Sequence, residues 1–144
     1  MSEAESTLIL LDTHIWIWYV AGDARANSHD FLKLMSEKIS AASVRVSIIS
    51  IWEIGILTWK NRLTLTYPPL EWVHRALALP GTLVEPISPE IAIDSSYLAG
   101  DFHGDPADRI LIATAKNLNA TLISEDKNIL SYCRKHHLPV RAIR

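Results

Sequence analysis

The chain has little of what several common catalytic systems need. Cys133 is the only cysteine among 144 residues, which excludes an intramolecular disulfide and a zinc site built from paired cysteines. Only five residues are glycine, and the sequence has neither a Gly-x-x-x-x-Gly-Lys phosphate loop nor a Gly-x-Ser-x-Gly nucleophile turn. A phosphate cradle and a serine nucleophile are therefore poor explanations of its chemistry.

The chain also lacks a strong excess of charge and a long hydrophobic run. Its formal net charge is -2, so a nucleic-acid site must be a local patch, such as segment 127–144, which has no Asp or Glu. The apolar stretch 8–21 is interrupted by Asp12 and His14 and is too short to span a bilayer. Because residues 1–6 are acidic rather than basic, we expect no signal peptide. The single cysteine fits a reducing setting, so we expect no membrane contact and a cytoplasmic location.

Short apolar runs alternate with longer amphipathic segments along the chain. The runs predict strands at 8–11, 44–48, 83–87, 120–124 and 139–143, and the segments between them predict helices, including 50–60, 70–79, 105–117 and 126–135. This alternation is typical of α/β proteins with a mostly parallel central sheet that is flanked by helices. The length predicts a single domain over residues 1–144.

Acidic residues follow several of these apolar runs. Asp12 and Asp126 come at the ends of predicted strands, Glu53 follows the run 44–52, and Asp108 lies in the first turn of a predicted helix. Ligands of parallel sheets bind beyond the carboxyl ends of the strands, so the topology could gather these acids at one edge. Buried carboxylates are costly unless they face positive charge. The pattern therefore predicts a site for a hard divalent cation.

Each acid also has a simple structural explanation. Asp12 and Asp126 could cap helices, and Ser50 and Glu53 have the spacing of a capping box. Asp105 precedes a proline, as the cap of a helix that begins with proline would. The two roles are compatible, because a capping carboxylate can still present an oxygen to a metal ion. An acid at every such position favours the metal site over capping alone.

Four motifs occur along the chain in a recognisable order. They are Leu10-Leu11-Asp12-Thr13-His14, Ser50-Ile51-Trp52-Glu53-Ile54, Asp105-Pro106-Ala107-Asp108-Arg109-Ile110-Leu111-Ile112-Ala113 and Leu122-Ile123-Ser124-Glu125-Asp126. Their order and spacing resemble those of PIN domains, and most of all those of the VapC-type ribonuclease toxins of bacterial toxin–antitoxin pairs. The resemblance covers nearly the whole chain.

The resemblance implies a PIN-like three-layer α/β fold and a metal-dependent endoribonuclease. Such an enzyme hydrolyses RNA phosphodiester bonds and leaves 3′-hydroxyl and 5′-phosphate ends. The residues that would bind one or two Mg²⁺ or Mn²⁺ ions and carry out catalysis are Asp12, Glu53, Asp108 and Asp126. The resemblance also implies a homodimer and a cognate antitoxin protein that covers the acidic groove.

Several further residues are candidates for accessory roles. Asp105 is either a fifth acid or only a helix cap, and the Ser124 hydroxyl could orient Asp126 or a bound water. Arg109 either approaches a substrate phosphate or pairs with a neighbouring acid, and His14 is either structural or in contact with substrate. Glu125 either strengthens metal binding or faces solvent. The tryptophans that could stack bases, most of which we expect in the core or an oligomer interface, are Trp16, Trp18, Trp52, Trp59 and Trp72.

Two other functions compete with a ribonuclease. A PIN-like module could bind RNA or protein without cleaving, but the four acids that cleavage would need are all present. A phosphatase of the haloacid-dehalogenase type also has an aspartate after its first strand. It would need a second aspartate two residues later, where this chain has His14.

Overall fold

The computed structural model describes residues 7–100, 102 and 104–143. Within them the chain forms a sheet and two layers of helix. The strands are β1 (Ile9–Leu11), β2 (Val44–Ser47), β3 (Thr82–Glu85), β4 (Thr121–Ile123) and β5 (Val140–Arg141). The helices are α1 (Thr13–Ala21), α2 (His29–Ser40), α3 (Ile48–Trp59), α4 (Pro69–Ala78), α5 (Pro89–Ser96), α6 (Pro106–Leu118) and α7 (Lys127–Lys135), and a short 3₁₀ helix covers Ala24–Ala26.

The sheet has the strand order β3-β2-β1-β4-β5, and every pair of neighbours is parallel. The chain builds outward from β1 to β3 on one side and then returns to place β4 on the other side of β1. This order creates a reversal point between β1 and β4, where Leu11 pairs with Ile123. Ligands of open parallel sheets bind in the crevice outside the strand ends at such a point. Asp12 and Ser124 directly follow these two strands.

Strand β1 divides the core into two layers, because successive side chains of a strand point to opposite faces. Ile9 and Leu11 belong to one buried cluster, with Trp16, Met35 and others from α1 and α2. Leu10 belongs to a second cluster, which is formed largely by α6 and α7. All three strand residues are at most 2% exposed. The predicted α/β fold with a sheet between helical layers is therefore confirmed, and the sheet is wholly parallel.

The beginning of α3 differs from the predicted one. We expected the helix to begin near Ser50, with Glu53 in its first turn as part of a capping box. The helix begins at Ile48 instead, and its cap is Ser47, whose hydroxyl accepts a hydrogen bond of 3.0 Å from the Ile49 N–H. The strand thus passes into the helix without a loop. Glu53 consequently lies in the second turn, where it cannot serve the capping box.

The other caps follow the predictions. Asp12, Asp105 and Asp126 occupy the N-cap positions of α1, α6 and α7, and each side chain accepts a hydrogen bond from a backbone N–H of its helix. Asp108 lies in the first turn of α6. In the described part of the chain, no helix combines the length and the apolar character needed to cross a membrane.

Candidate active site

A cleft of about 370 Å³ opens at the carboxyl ends of the strands. Its walls come from the start of α1, the second turn of α3, the start of α6 and the segment that leads into α7. The lining residues are Asp12, His14, Ile15, Trp18, Glu53, Asp105, Asp108, Glu125 and Asp126. The structure therefore brings the four acids of the predicted site into one cleft, together with the accessory candidate Asp105.

Asp12 is the most deeply placed of these acids, with only 8% of its surface exposed. One carboxylate oxygen accepts a hydrogen bond of 2.7 Å from the Thr13 N–H, and the other accepts one of 2.7 Å from the Ser124 hydroxyl. Burial raises the pKa of Asp12, and these two hydrogen bonds oppose that rise. The Asp12 carboxylate thus caps helix α1 and also lines the cleft, as expected if capping and metal binding are compatible.

Ser124 links the ends of two chain segments at the bottom of the cleft. Its hydroxyl, which is fully buried, donates to Asp12 and accepts a hydrogen bond of 3.0 Å from the Asp126 N–H. The Asp126 carboxylate accepts from the Ile129 N–H at 3.0 Å, as a helix cap does. The Ser124 hydroxyl therefore orients the side chain of Asp12 and the backbone of Asp126.

Glu53 is held by residues from another element. The Thr13 hydroxyl donates a hydrogen bond to the Glu53 carboxylate. The same Thr13 oxygen lies 2.8 Å from the oxygen of the Ser50 hydroxyl. Thr13 and Ser50 are fully buried. Because a hydroxyl has one proton, Thr13 can donate to Glu53 only if Ser50 donates to Thr13. Burial raises the pKa of Glu53, this hydrogen bond lowers it, and the charges of Asp12 and Asp105 raise it further.

The pKa of Asp108 is strongly raised. Burial is the largest cause, followed by the charges of Asp105, Asp12, Asp126 and Glu53 in that order, and together they raise the pKa of Asp108 to about 8. Its own N–H donates a hydrogen bond of 2.9 Å to Asp105, the N-cap of the helix. Among the described residues, Asp108 takes part in no ion pair.

The donor set suits a hard cation. Among the described residues that line the cleft there are several acids but no lysine or arginine, so the described lining is rich in negative charge. No group of three His, Cys, Asp or Glu side chains in the described residues is arranged to enclose a metal ion by itself. Mg²⁺ is commonly bound through one or two carboxylates and keeps several waters. The open cleft with separated carboxylates fits that mode better than a closed cage.

Two of the remaining candidates have structural roles. The Arg109 guanidinium donates to the backbone carbonyls of Ser95, Ser96 and Phe102 at 2.8, 3.3 and 2.7 Å, so it ties α6 to the end of α5, and it forms no ion pair with an acid that the structure describes. Glu125 lines the cleft, and one of its oxygens accepts a hydrogen bond of 2.9 Å from the Ile143 N–H. It therefore also anchors the C-terminal segment.

The sequence did not single out Thr13 and Ser50 as site residues. Thr13 stands beside Asp12, but its contact with Glu53 joins residues 40 positions apart. The sequence pattern predicts only a capping role for Ser50. The one available signal was that both are small hydroxyl residues close to acids in apolar surroundings.

Comparison with known proteins agrees with this architecture. The PIN domain family model matches residues 9–135. Ribonuclease VapC22 of Mycobacterium tuberculosis is 31% identical over 135 residues, which cover 93% of this chain and 97% of the relative.

Two solved structures have the same fold. One is VapBC2 of Rickettsia felis bound to a DNA fragment from its promoter, with a TM-score of 0.67 and 14% identity over 94% of this chain and 98% of that chain. The other is a toxin–antitoxin complex of Klebsiella pneumoniae, with a TM-score of 0.61 and 18% identity over the same shares. The match of the family model to most of the chain, with the identity to a VapC protein, shows that this chain belongs to the PIN-domain family and is a VapC-type member of it.

Proposed function

We propose that this protein is a metal-dependent endoribonuclease, the toxin of a VapC-type toxin–antitoxin pair, and that residues 1–144 form its single nuclease domain. One observation carries the proposal: Asp12, Glu53, Asp108 and Asp126 reach one cleft from four different elements, with no lysine or arginine among its described lining residues. Such an arrangement costs stability unless a cation is bound. A 31% identical relative is a ribonuclease.

The same four acids would hold one or two Mg²⁺ or Mn²⁺ ions. When bound, such ions lower the pKa of a coordinated water and stabilise charge on the transferring phosphoryl group. The chain's own contribution is orientation. Ser124 and the Thr13 N–H hold both oxygens of Asp12, and the Thr13 hydroxyl holds Glu53. Fixed carboxylates need not reorganise when charge develops in the transition state.

The helix termini at the cleft favour a phosphate substrate. Helices α1, α6 and α7 all begin there, at Thr13, Pro106 and Lys127. The positive end of each helix dipole therefore points toward the cleft, where it attracts negatively charged phosphate. Asp12, Asp105 and Asp126 already cap these ends, so we expect the phosphate to need the metal ion as well.

The proposal is tested by incubating a mixed RNA pool with purified protein in Mg²⁺ or Mn²⁺. We expect RNA fragments with 5′-phosphate ends, and none when EDTA is added. RNA that is bound but stays intact would identify a non-cleaving module instead. Turnover of small phosphomonoesters with intact RNA would identify a phosphatase. We also propose that the protein acts in the cytoplasm, where cellular RNA is found.

An antitoxin partner is a further part of the proposal. The Klebsiella pneumoniae structure that shares this fold is a toxin–antitoxin complex. A basic side chain of an antitoxin, inserted between Asp108 and its neighbours, would neutralise them and exclude metal. We expect co-expression with the product of an adjacent small gene to yield a complex that cleaves no RNA.

We also propose that the protein is a homodimer, and α3 offers an apolar surface for the interface. Ile48, Trp52 and Trp59 are 42, 56 and 79% exposed, and they lie on one face of the helix. Gly55 lies on the same face, and a side chain added there would meet no atom within 4 Å. Exposed aromatic residues in one patch are typical of protein interfaces.

A further inference from the structure

The five tryptophans divide into three groups by their surroundings. Trp16 and Trp72 are 1 and 5% exposed and form an edge-to-face pair in the core, with ring centroids 5.3 Å apart. Trp52 and Trp59 lie on the exposed face of α3. Trp18 alone among the tryptophans lines the acidic cleft. Only Trp18 is therefore placed to touch a molecule that is bound there.

Trp18 is held in place on the wall that α1 contributes. The Arg25 guanidinium lies 4.5 Å from the centre of its ring, and Asp23 holds this guanidinium with hydrogen bonds of 3.0 and 2.8 Å. His14, one turn earlier on the same helix, has its ring 6.0 Å from that of Trp18 and also lines the cleft. The wall is thus a supported aromatic surface in the same cleft as the acids.

The charge of the cleft determines what this wall can contribute to RNA binding. The carboxylates repel every phosphate except one neutralised by metal, so electrostatic attraction from the lining is weak. Stacking of a base on an aromatic ring does not depend on charge and accepts any base. A partly exposed ring beside the reaction centre supplies this interaction.

We propose that Trp18 stacks on an RNA base next to the phosphodiester bond that is cleaved, with His14 extending the same surface. This inference rests on the proposed ribonuclease function and adds a substrate-binding residue to it. Arg25 supports the ring and keeps its orientation fixed before RNA binds. In this arrangement the acids act on the phosphate, and the α1 wall sets the position of the strand.

The test measures RNA binding separately from cleavage. Protein with Asp12→Asn, which blocks cleavage, is titrated into a fluorescently labelled single-stranded RNA with Mn²⁺ present, and anisotropy gives the dissociation constant. In this background Trp18→Leu keeps an apolar side chain but removes the ring, and Trp18→Phe keeps a ring. Tyr97→Ala is the matched control, because Tyr97 is 81% exposed and is not part of the cleft.

We expect Trp18→Leu to weaken RNA binding by about tenfold and Trp18→Phe to weaken it much less, as loss of one stacked base requires. Tyr97→Ala should bind like the parent. We also expect that, in a set of RNAs that each lack one base, one RNA binds the Trp18→Leu variant and the parent with the same dissociation constant. This non-additivity would identify the stacked base, and a purely structural role for Trp18 would not produce it.

Several results would overturn the inference. Equal affinity of Trp18→Leu and the parent would exclude stacking while wild-type RNA cleavage still supports the ribonuclease. Equal losses for Trp18→Leu and Trp18→Phe on every RNA would show that the residue only supports the fold. If wild type neither binds nor cleaves RNA, the proposed function and this inference fail together.

Discussion

The Thr13 hydroxyl donates a hydrogen bond to the Glu53 carboxylate, which joins the first residue of α1 to the second turn of α3. The backbone N–H of the same threonine donates to Asp12. One buried residue therefore positions two acids that come from different parts of the chain. Within the described residues the Thr13 hydroxyl contacts the side chains of Ser50 and Glu53, both on α3, so it orients Glu53.

Replacing Thr13 by valine should lower kcat for RNA cleavage by about tenfold, because hydrogen bonds to charged groups orient them and are among the stronger ones. Valine has nearly the same shape but cannot donate. Thr13→Ser restores the hydroxyl and should recover most of the activity. Single-turnover cleavage rates measure the effect. A loss in Thr13→Ser but not in Thr13→Val would instead point to packing of the threonine methyl group.

Replacing Glu53 by glutamine should abolish most cleavage and leave the fold intact. The carboxylate is not part of a helix cap, and glutamine can still accept from the Thr13 hydroxyl. Loss of one metal-binding charge should reduce the cleavage rate by at least about a hundredfold. Glu37→Gln, at an exposed position on α2, is the matched control and should cleave like wild type. Thermal unfolding of Glu53→Gln well below the control would contradict this assignment.

The raised pKa of Asp108 predicts how stability depends on pH without metal. Its folded-state pKa of about 8 lies above the ordinary 3.8, so the folded protein binds a proton more tightly than the unfolded chain does. Its contribution is therefore present at low pH and is lost progressively as pH rises from about 4 toward 8. Asp12 and Glu53, whose pKa values are also raised, act in the same direction.

Asp108→Asn should consequently flatten this pH dependence in EDTA and raise the melting temperature at pH 8. A difference of one pKa unit corresponds to about 1.4 kcal/mol, so a gain of about that size is expected after allowance for partial exposure of the side chain. Melting curves from pH 5 to 8 provide the measurement. A wild-type protein that becomes steadily more stable over this range would contradict the electrostatic account.

Added Mn²⁺ should stabilise wild type, and more strongly at pH 8 than at pH 5, because protons compete with metal for the carboxylates. At a free ion concentration 100 times the dissociation constant, one site contributes about 2.7 kcal/mol. The melting shift should be much smaller in Asp108→Asn. An equal shift in Asp30→Asn and Asp108→Asn would mean that the ion binds outside the cleft.

Trp59→Glu should convert the proposed dimer to a monomer, because a charge would be buried without a partner at the interface. Light scattering coupled to size-exclusion chromatography measures the mass directly. Glu90→Gln, at an exposed position on α5, serves as the control. A wild-type mass equal to the 16.2 kDa of one chain would exclude the dimer.

The sequence predicted the fold and the location of the acids well, because both depend on local signals. An apolar run such as 8–11 has few alternatives to a buried strand, and Asp12 must then lie at its carboxyl end. Parallel connections bring such ends to the same edge of the sheet. The three aspartate caps also depend on neighbours within three residues.

What the sequence missed depends on contacts between distant segments. Two serines, Ser47 and Ser50, could each cap α3, and the choice depends on where strand β2 ends in the sheet. Arg109 has acids beside it in sequence, yet its three carbonyl partners are fixed only by the packing of α5 on α6. Likewise, nothing in the sequence distinguishes Trp18 from the four other tryptophans until the cleft is formed.

The most direct test of the central claim is the rate of Mn²⁺-dependent cleavage of one labelled RNA by wild type, Asp108→Asn and Asp30→Asn. Asp30 is an exposed acid on α2 that is not part of the cleft, so the two variants remove the same charge in different places. If the cleft is the ribonuclease centre, wild type and Asp30→Asn should cleave equally and Asp108→Asn should lose at least about a hundredfold in rate. Cleavage by Asp108→Asn at the wild-type rate would contradict the account.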